Sequence, residues 1–381
     1  MIKIKIILKL PKILNTKINK RISEYTFRNL GIPSNLIDFS SNDYLGFARD
    51  SNIFERAHQL LLDKNIVENG GTGSRLLSGN HPLYTEFETQ LCKVHHCEAA
   101  LVFNSGYTAN LGFFSSVPQR GDIIFYDELA HASIRDGLKM SQAKSYKFKH
   151  NDLEDLTEKL KKLNIEEIQS VYVVTESVFS MDGDSPDLLK LTEICKEFKA
   201  LLIVDEAHAL GVFGYGLMQE LNIENDCFAR IVTFGKTIGV HGAAILGSQD
   251  LINYLINFSR PFIYTTSMPP HTLASLIVVY DELNVTKNMQ ILKQNISHFQ
   301  SNIDSLDFIP SNSAIQCCII SGNERAKSVA NQLAYKGYDV KPILSPTVPE
   351  GYERLRFCLH AFNSKEDITK VLSELKTMIY E

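Results

Sequence analysis

Short apolar runs alternate with helical patterns through the middle of this chain of 381 residues. The runs Ala99–Phe103, Ala200–Val204 and Ala243–Leu246 are apolar at every position. Further, mostly apolar runs lie at 122–126, 170–175 and 230–234. Strands buried on both faces have continuous apolar sequences, whereas half-exposed strands alternate. The pattern therefore predicts an α/β fold whose mostly parallel sheet is covered by helices on both faces.

The pattern changes after about residue 285. A long helical stretch is followed by a strand, a helix, a second strand and a final helix, at 287–303, 315–320, 324–336, 354–359 and 365–379. This order predicts a smaller α+β domain. With the basic N-terminal stretch, it divides the chain into an N-terminal arm (1–50), a large domain (51–284) and a small C-terminal domain (285–381).

Composition narrows the class of protein. Lys and Arg total 39 and Asp and Glu total 44, so the formal net charge is −5. Neither nucleic acid nor an anionic membrane is therefore expected as the main partner. The N-terminal apolar run Ile6–Leu8 ends at Lys9 and is too short for the core of a signal peptide. No stretch approaches the roughly 18 apolar residues of a membrane span. We expect a cytoplasmic protein.

The cysteines indicate neither a disulfide framework nor a metal site. There are seven, an odd number, and no two form a Cys-x-x-Cys pair. His95, His96 and Cys97 cluster near Cys92, but this spacing fits no common metal site. We expect reduced, structural thiols and no bound metal.

Candidate binding residues follow the apolar runs, because ligands of parallel sheets bind beyond the carboxyl ends of the strands. Gly106 and Tyr107 open a helix after the run 99–103, and N–H groups at a helix start favour an anion such as phosphate. His131 and Ser180 follow the next two runs. Each of these signals is weak alone, since such turns and single histidines are commonly structural.

The two strongest signals are a carboxylate and a lysine at strand ends. Asp205 follows the run 200–204 directly, and a buried carboxylate is costly without a metal, a cationic ring nitrogen or an arginine as its partner. Lys236 follows the run 230–234 and Gly235. A desolvated lysine has a lowered pKa and can act as a Schiff-base nucleophile.

Two classes of enzyme could use these residues. In a nucleotide hydrolase, Gly235-Lys236-Thr237 would end a P-loop and Asp205-Glu206-Ala207-His208 would be the acidic box. The P-loop requires a glycine where this chain has Arg230, within an apolar run that leaves no loop for a phosphate. The acidic box also precedes the lysine instead of following it. These departures argue against a nucleotide hydrolase.

An enzyme that uses pyridoxal 5'-phosphate (PLP) accounts for all the sites together. The helix start holds the phosphate, His131 stacks on the ring, and Ser180 and His208 reach the ring hydroxyl. Asp205 pairs with the ring nitrogen, whose protonation makes the ring an electron sink. Lys236 carries the cofactor as a Schiff base. The order and placement of the sites make this the stronger interpretation.

Longer sequence motifs surround these candidate residues and occur along most of the chain. They are SSNDYLG (40–46), GTGSRLLSGN (71–80), SGYTAN (105–110), ESVFSMDGD (176–184), VDEAH (204–208), TFGK (233–236) and YTTSMPP (264–270). With this set, the chain from about residue 20 resembles the α-oxoamine synthases, PLP-dependent enzymes with the aspartate aminotransferase fold (fold type I). The resemblance implies a large domain with a mostly parallel sheet and a small α+β C-terminal domain.

The resemblance also implies a role for each matching residue. The catalytic residues are Lys236, which moves the α-proton of the amino acid, Asp205 and His131. The cofactor contacts are Gly106, Tyr107, Ser180, Asp205, His208, Thr233, Lys236 and, from the neighbouring subunit, Thr266. The substrate contacts are Arg28, Asn42, His131, Thr347 and Arg356, whose planar fork suits a carboxylate. The shared site implies a homodimer.

The implied reaction is a decarboxylative condensation of L-alanine with a pimeloyl thioester, carried on coenzyme A or on acyl carrier protein. Other members of the family use glycine with acetyl or succinyl thioesters, or serine with long acyl chains. The segment 75–80 and the compact length favour alanine and the pimeloyl group. The chain departs from the usual pattern at 209–211, 237–239 and 360–363, which leaves the acyl specificity open. The intact residues Lys236 and Asp205 argue against a non-catalytic regulator.

Overall fold

A seven-stranded sheet lies at the centre of the computed structural model, which describes residues 10–30, 35–163, 169–303 and 306–380. After a short strand β1 (Ile37–Asp38), its strands are β2 (Ala99–Phe103), β3 (Ile123–Asp127), β4 (Lys144–Phe148), β5 (Val171–Glu176), β6 (Leu201–Asp205), β7 (Ala229–Thr233) and β8 (Ala243–Gly247). Their order is β2-β8-β7-β6-β5-β3-β4. The five strands β3 to β7 are parallel, and β8 is antiparallel to β2 and β7. The predicted mostly parallel sheet is confirmed.

Helices cover both faces of this sheet. The helices up to residue 285 are α1 (Lys12–Ser23), whose residues are all exposed, and α2 (Ser51–Asp63), α3 (Pro82–His95), α4 (Gly106–Ser116), α5 (Ala132–Met140), α6 (Leu153–Lys161), α7 (Leu188–Glu197), α8 (Leu217–Glu220), α9 (Gln249–Phe258), α10 (Arg260–Ile263) and α11 (Pro270–Val285). Successive strand residues point to opposite faces. Leu101 packs with Phe113 of α4, whereas Val102 packs with Leu91 of α3 and Tyr280 of α11. The continuous apolar sequence of β2 follows from this double coverage.

A smaller sheet is formed by the C-terminal part of the chain. It contains β9 (Ile315–Ile319), β11 (Lys341–Ile343) and β12 (Arg354–Cys358) in the antiparallel order β11-β12-β9, while the short β10 (Tyr338–Asp339) pairs with β1. The helices α12 (Asn288–Gln300), α13 (Asn323–Tyr335) and α14 (Lys365–Tyr380) accompany it. The ends of α12, β9, α13, β12 and α14 lie within three residues of the predicted ones, whereas β10 and β11 were not predicted. The proposed domain boundaries at 50 and 284 stay predictions.

One strand of the central sheet was not predicted. β4 lies at the edge of the sheet and only its Phe148 is buried, so no apolar run marks it in the sequence. After β3, α5 begins at Ala132, because Asp127 ends the strand in a turn and accepts a hydrogen bond from Leu129 N–H at 2.8 Å. Within the described ranges, no helix combines the length and the apolar character needed to cross a membrane.

Candidate active site

Three polar side chains meet at the carboxyl ends of the central strands. Two of them, Asp205 and Lys236, were predicted, and the third is Glu176. β5 and β6 end on Glu176 and Asp205, which are paired in the sheet register. Lys236 lies in the turn between β7 and β8, where the charges of both carboxylates act on it. The order of strands in the sheet therefore brings together groups that are 60 residues apart in sequence (176 to 236).

Burial sets the protonation of Lys236. It lowers the pKa of the Lys236 amine, and the carboxylates of Asp205 and Glu176 only partly oppose this effect. A lowered pKa increases the fraction of neutral amine, which is the form that attacks a carbonyl or accepts a proton. The environment thus suits both roles that the sequence assigns to Lys236.

A hydrogen-bonded chain connects Asp205 to His131. Asp205 Oδ2 accepts from Asn110 Nδ2 at 2.7 Å, and Oδ1 accepts from Ala207 N–H at 2.9 Å. Asn110 Nδ2 also donates to Ser133 Oγ at 3.1 Å, and Ser133 Oγ lies 2.7 Å from His131 Nδ1. The main-chain N–H of Ser133 donates to His131 Nδ1 at 3.2 Å, so Nδ1 is an acceptor and the Ser133 hydroxyl also donates to it. His131 therefore carries its proton on Nε2.

The protonation of His131 agrees with this assignment. Burial lowers the pKa of its imidazole, with Lys236 adding to the effect and Asp205 opposing it. The main-chain N–H of His131 donates to Glu176 Oε1 at 2.7 Å. Burial, together with the charge of Asp205, raises the pKa of Glu176 to about 8. The His131 ring is therefore neutral and can donate from Nε2–H. Hydrogen bonds hold both the main chain and the ring of this residue.

The start of α4 forms a cradle that fits a phosphate group. Ser105 caps the helix by accepting from Thr108 N–H at 3.2 Å, which leaves the N–H groups of Gly106 and Tyr107 for an external acceptor. The buried hydroxyl of Thr233 has no hydrogen-bond partner among the described residues. A Cβ on Gly106 would approach Thr233 Cγ2 to 2.5 Å. An anion here would receive hydrogen bonds from all three groups and the favourable helix dipole.

We expect Gly106→Ala to weaken binding of a phosphate-containing cofactor about tenfold, because overpacking of about 1–3 kcal/mol displaces the helix start. Equilibrium dialysis measures the effect. Gly106→Ala combined with Thr233→Ser removes the obstructing methyl group and should recover much of the loss. The matched control is Gly70→Ala, whose added Cβ meets nothing within 4 Å. Equal losses in Gly106→Ala and Gly70→Ala would contradict the cradle.

A second network joins the N-terminal arm to the small sheet. Arg356 donates from Nη2 to Asn42 Oδ1 at 3.0 Å and from Nε to the carbonyl of Ser180 at 2.7 Å. Tyr44 donates to Asn42 Oδ1 at 3.1 Å and lies 2.8 Å from His208 Nδ1. Burial keeps the pKa of His208 well below its usual value. Four predicted site residues thus lie in one network, in which Tyr44, a residue that the prediction did not include, connects Asn42 to His208.

Two cavities that share lining residues contain three of the predicted substrate contacts. A cavity of about 220 Å³ is lined by His131, Ser180 and Thr347. Another of about 520 Å³ is lined by Arg28, Thr347 and the apolar side chain of Phe27. Thr347 belongs to both walls. Arg28 and His131 therefore line neighbouring cavities with Thr347 between them.

Two predicted cofactor contacts point away from these groups. The Tyr107 side chain is exposed and its hydroxyl donates to Asp136 at 2.6 Å, so only its main chain faces the cradle. Thr266 is exposed, and its carbonyl accepts from Asn104 Nδ2 at 3.0 Å. A contact from Thr266 to a neighbouring subunit stays a prediction.

The sequence prediction missed Tyr44, Asn110, Ser133 and Glu176 as site residues. Glu176 could have been found, because it is a carboxylate at the end of a buried strand, the same signal that identified Asp205. Asn110 and Tyr44 lie within quoted motifs but have side chains that carry no distinctive chemistry. Their roles depend on contacts across 95 and 164 residues, which local sequence does not indicate.

Comparison with known proteins agrees with this geometry. Residues 34–375 match the family described as aminotransferase class I and II. The chain is 38% identical over 375 residues to 8-amino-7-oxononanoate synthase of Emericella nidulans, covering 91% of this chain and 90% of the relative. The crystal structure of 8-amino-7-oxononanoate synthase from Francisella tularensis has a TM-score of 0.77 at 31% identity, covering 90% of this chain and 98% of that one.

A second group of solved structures superposes more closely at lower identity. A serine palmitoyltransferase from S. paucimobilis, with PLP and myriocin bound, has a TM-score of 0.87 at 25% identity and covers 96% of both chains. The predicted fold class is confirmed by these neighbours, and so is the prediction of an enzyme. The chain belongs to the aminotransferase class I and II family and, within it, to the α-oxoamine synthases that its motifs resemble.

Proposed function

We propose that this enzyme condenses L-alanine with a pimeloyl thioester, giving 8-amino-7-oxononanoate, CO₂ and the free thiol carrier, a step of biotin biosynthesis. The observation that carries the proposal is the 38% identity to a named 8-amino-7-oxononanoate synthase over nine-tenths of both chains. PLP is the cofactor, as the sequence predicted.

The residues that would hold PLP are those at the strand ends. Gly106, Tyr107 and Thr233 form the phosphate cradle, Lys236 is the attachment point, and Asp205 faces the ring nitrogen. When bound, PLP withdraws electrons from the amino acid's Cα through its protonated ring nitrogen. Asp205 would pair with that nitrogen, because hydrogen bonds from Asn110 and Ala207 hold its two carboxyl oxygens in place.

Lys236 moves the α-proton of the bound amino acid. Its lowered pKa makes the neutral amine available as a base, and the protonated amine can return the proton after condensation. His131 Nε2–H can donate to the thioester carbonyl as negative charge develops on its oxygen. We propose that the planar guanidinium of Arg356, which contacts Asn42, Ser180, Cys358 and Tyr44, also binds a substrate carboxylate.

The cavities support an extended acyl substrate. The cavity of about 520 Å³ joins apolar walls, such as Phe27 and Ile343, to the guanidinium of Arg28. A pimeloyl chain has the matching pattern, a short apolar chain that ends in a carboxylate. We propose that Arg28 receives this carboxylate and that Thr347 contacts the chain between Arg28 and His131.

A homodimer with shared active sites is also part of the proposal. Val67 and Leu77 are each 84% exposed in the protomer, in a segment that meets the Thr266 region through a hydrogen bond from Ser267 N–H to the Gly73 carbonyl at 2.9 Å. Large exposed apolar side chains beside a functional site favour a protein interface. We propose that this face brings Thr266 to the partner's phosphate cradle.

A substrate panel tests the proposal. Purified enzyme is assayed with alanine, glycine and serine against acetyl, succinyl, pimeloyl and palmitoyl thioesters, each on coenzyme A and, where available, acyl carrier protein. We expect alanine with pimeloyl thioester to exceed every other pair by at least about tenfold in kcat/KM, since pocket length discriminates by roughly 10–200-fold per methylene. A preference for glycine or serine would overturn the substrate assignment.

The second candidate is condensation of serine with a long-chain acyl thioester. The observation that favours it is the TM-score of 0.87 to serine palmitoyltransferase, against 0.77 for the Francisella enzyme. The identities rank in the opposite order, at 25% and 31%. Palmitoyl thioester with serine in the same panel distinguishes the two candidates.

A further inference from the structure

The segment 179–184 is a closed loop that lies between the two sheets. Phe179 N–H donates to the Asp184 carbonyl at 3.0 Å, and Gly183 N–H donates to the Phe179 carbonyl at 2.8 Å. Its residues Ser180 and Met181 line the cavity that contains His131. The position of this loop therefore sets the wall of the substrate cavity.

Residues of the small sheet hold one side of the loop. Arg354 forms an ion pair with Asp182, and Arg356 donates to the Ser180 carbonyl at 2.7 Å. The Gly183 carbonyl accepts from two serine hydroxyls, Ser311 at 2.7 Å and Ser313 at 2.9 Å. These contacts fix the loop to the C-terminal part of the chain but not to the central sheet.

His150 connects the other side of the loop to the central sheet. Its Nε2 lies 2.8 Å from Asp184 Oδ2, and its Nδ1 lies 2.9 Å from Asp127 Oδ1 at the end of β3. Asn151 makes the same connection, because its side chain donates to Asp184 at 2.7 Å and its N–H donates to Asp127 at 2.9 Å. The ring of His150 also packs edge-on to Phe179, with centroids 4.5 Å apart.

The geometry requires a doubly protonated ring. Both nitrogens face carboxylate oxygens, which accept when ionised, so both nitrogens must donate. Burial alone would lower the pKa of His150, but the hydrogen bonds and charges of Asp127 and Asp184 raise it to about 10. Glu128 also accepts from the His150 N–H, at 3.3 Å, and pairs with Lys147 of β4.

We propose that His150 is a positioning residue that, as an imidazolium, fixes the loop 179–184 against the central sheet and so shapes the substrate cavity. His150 contacts neither the cofactor cradle nor the cavity itself, and it acts through Asp184. The inference deepens the proposed function, because it takes the cavity with His131 to be the acyl-binding site.

The test uses three variants of the full-length enzyme loaded with PLP. His150→Gln keeps at most one of the two ring contacts, Asp184→Asn removes the charge at the loop end, and His58→Gln is the control at an exposed histidine of α2. For His150→Gln and Asp184→Asn we expect KM for the acyl thioester to rise about tenfold while kcat changes less than about threefold. The KM of the double variant should be little higher than that of either single variant, since both substitutions remove the same interaction between His150 and Asp184.

An independent readout is the protonation of His150, measured from ring ¹⁵N shifts assigned with His150→Gln. We expect both nitrogens protonated at pH 8, with titration near pH 10. A neutral ring at pH 8, or an unchanged KM in both single variants, would overturn the inference. If His150→Gln does not fold, Asp184→Asn decides the kinetic question. If wild-type enzyme turns over no substrate pair, the proposed function fails while the ring titration still tests His150.

Discussion

Lys236→Ala is expected to abolish turnover and to remove the visible absorbance of the PLP Schiff base. With the roles proposed for Lys236, the variant loses both the attachment point and the group that moves the α-proton, so the rate should fall by at least about 10³-fold. Absorbance spectra and a thiol-release assay on the same preparation measure both effects. PLP should still bind noncovalently, because the phosphate cradle of Gly106, Tyr107 and Thr233 is unchanged.

Lys190→Ala is the matched control for this variant. Lys190 is an exposed lysine of α7, and its loss should leave the spectrum and the rate unchanged. A Lys236→Ala enzyme that retained the Schiff-base absorbance, or that turned over at even a hundredth of the wild-type rate, would contradict the proposed role. Another amine would then bind the cofactor or move the α-proton.

Asp205→Asn is expected to slow proton abstraction by roughly 10²–10⁴-fold while most of the bound cofactor is retained. The ring nitrogen loses its anionic partner, so the ring withdraws electrons less strongly. Exchange of the alanine α-proton with deuterated solvent isolates this step from the acyl transfer. Dialysis followed by PLP quantification measures retention.

Asp205→Glu distinguishes the effect of the carboxylate's charge from the effect of its position. The glutamate keeps an anion near the ring, but the longer side chain displaces the carboxylate from Asn110, which now donates to it at 2.7 Å. We expect exchange rates between those of wild type and Asp205→Asn. Wild-type exchange in Asp205→Asn would rule out the electron-sink role, and equal loss in both variants would mean that placement matters more than charge.

The central part of the fold could be predicted from sequence because burial on two faces leaves a direct trace. β2 is apolar throughout, β6 is apolar up to its last residue, Asp205, and β7 is mostly apolar. Polar residues at the ends of these strands, such as Asp205 and Lys236, therefore stand out in the sequence. The edge strand β4 has one buried residue and leaves no such trace. Its placement depends on pairing with β3, which only the three-dimensional structure shows.

The site could be predicted where one residue type carries the chemistry. A lysine or a carboxylate in a buried turn is unusual by itself. Asn110 and Ser133 are ordinary helix residues in sequence, and they become site residues because α4 and α5 pack together between Asp205 and His131. His150 belongs to the same class, since its function depends on two aspartates from different parts of the chain.

The most direct test of the central claim is the stoichiometry of the complete reaction. Wild-type enzyme is incubated with alanine labelled with ¹³C at its carboxyl carbon and with pimeloyl thioester, and CO₂, free thiol and the amino ketone are quantified together. The proposal predicts one labelled CO₂ and one 8-amino-7-oxononanoate for each thiol released. Thiol release without labelled CO₂, or transfer of the alanine amino group to a keto acid with the alanine carboxyl retained, would contradict it.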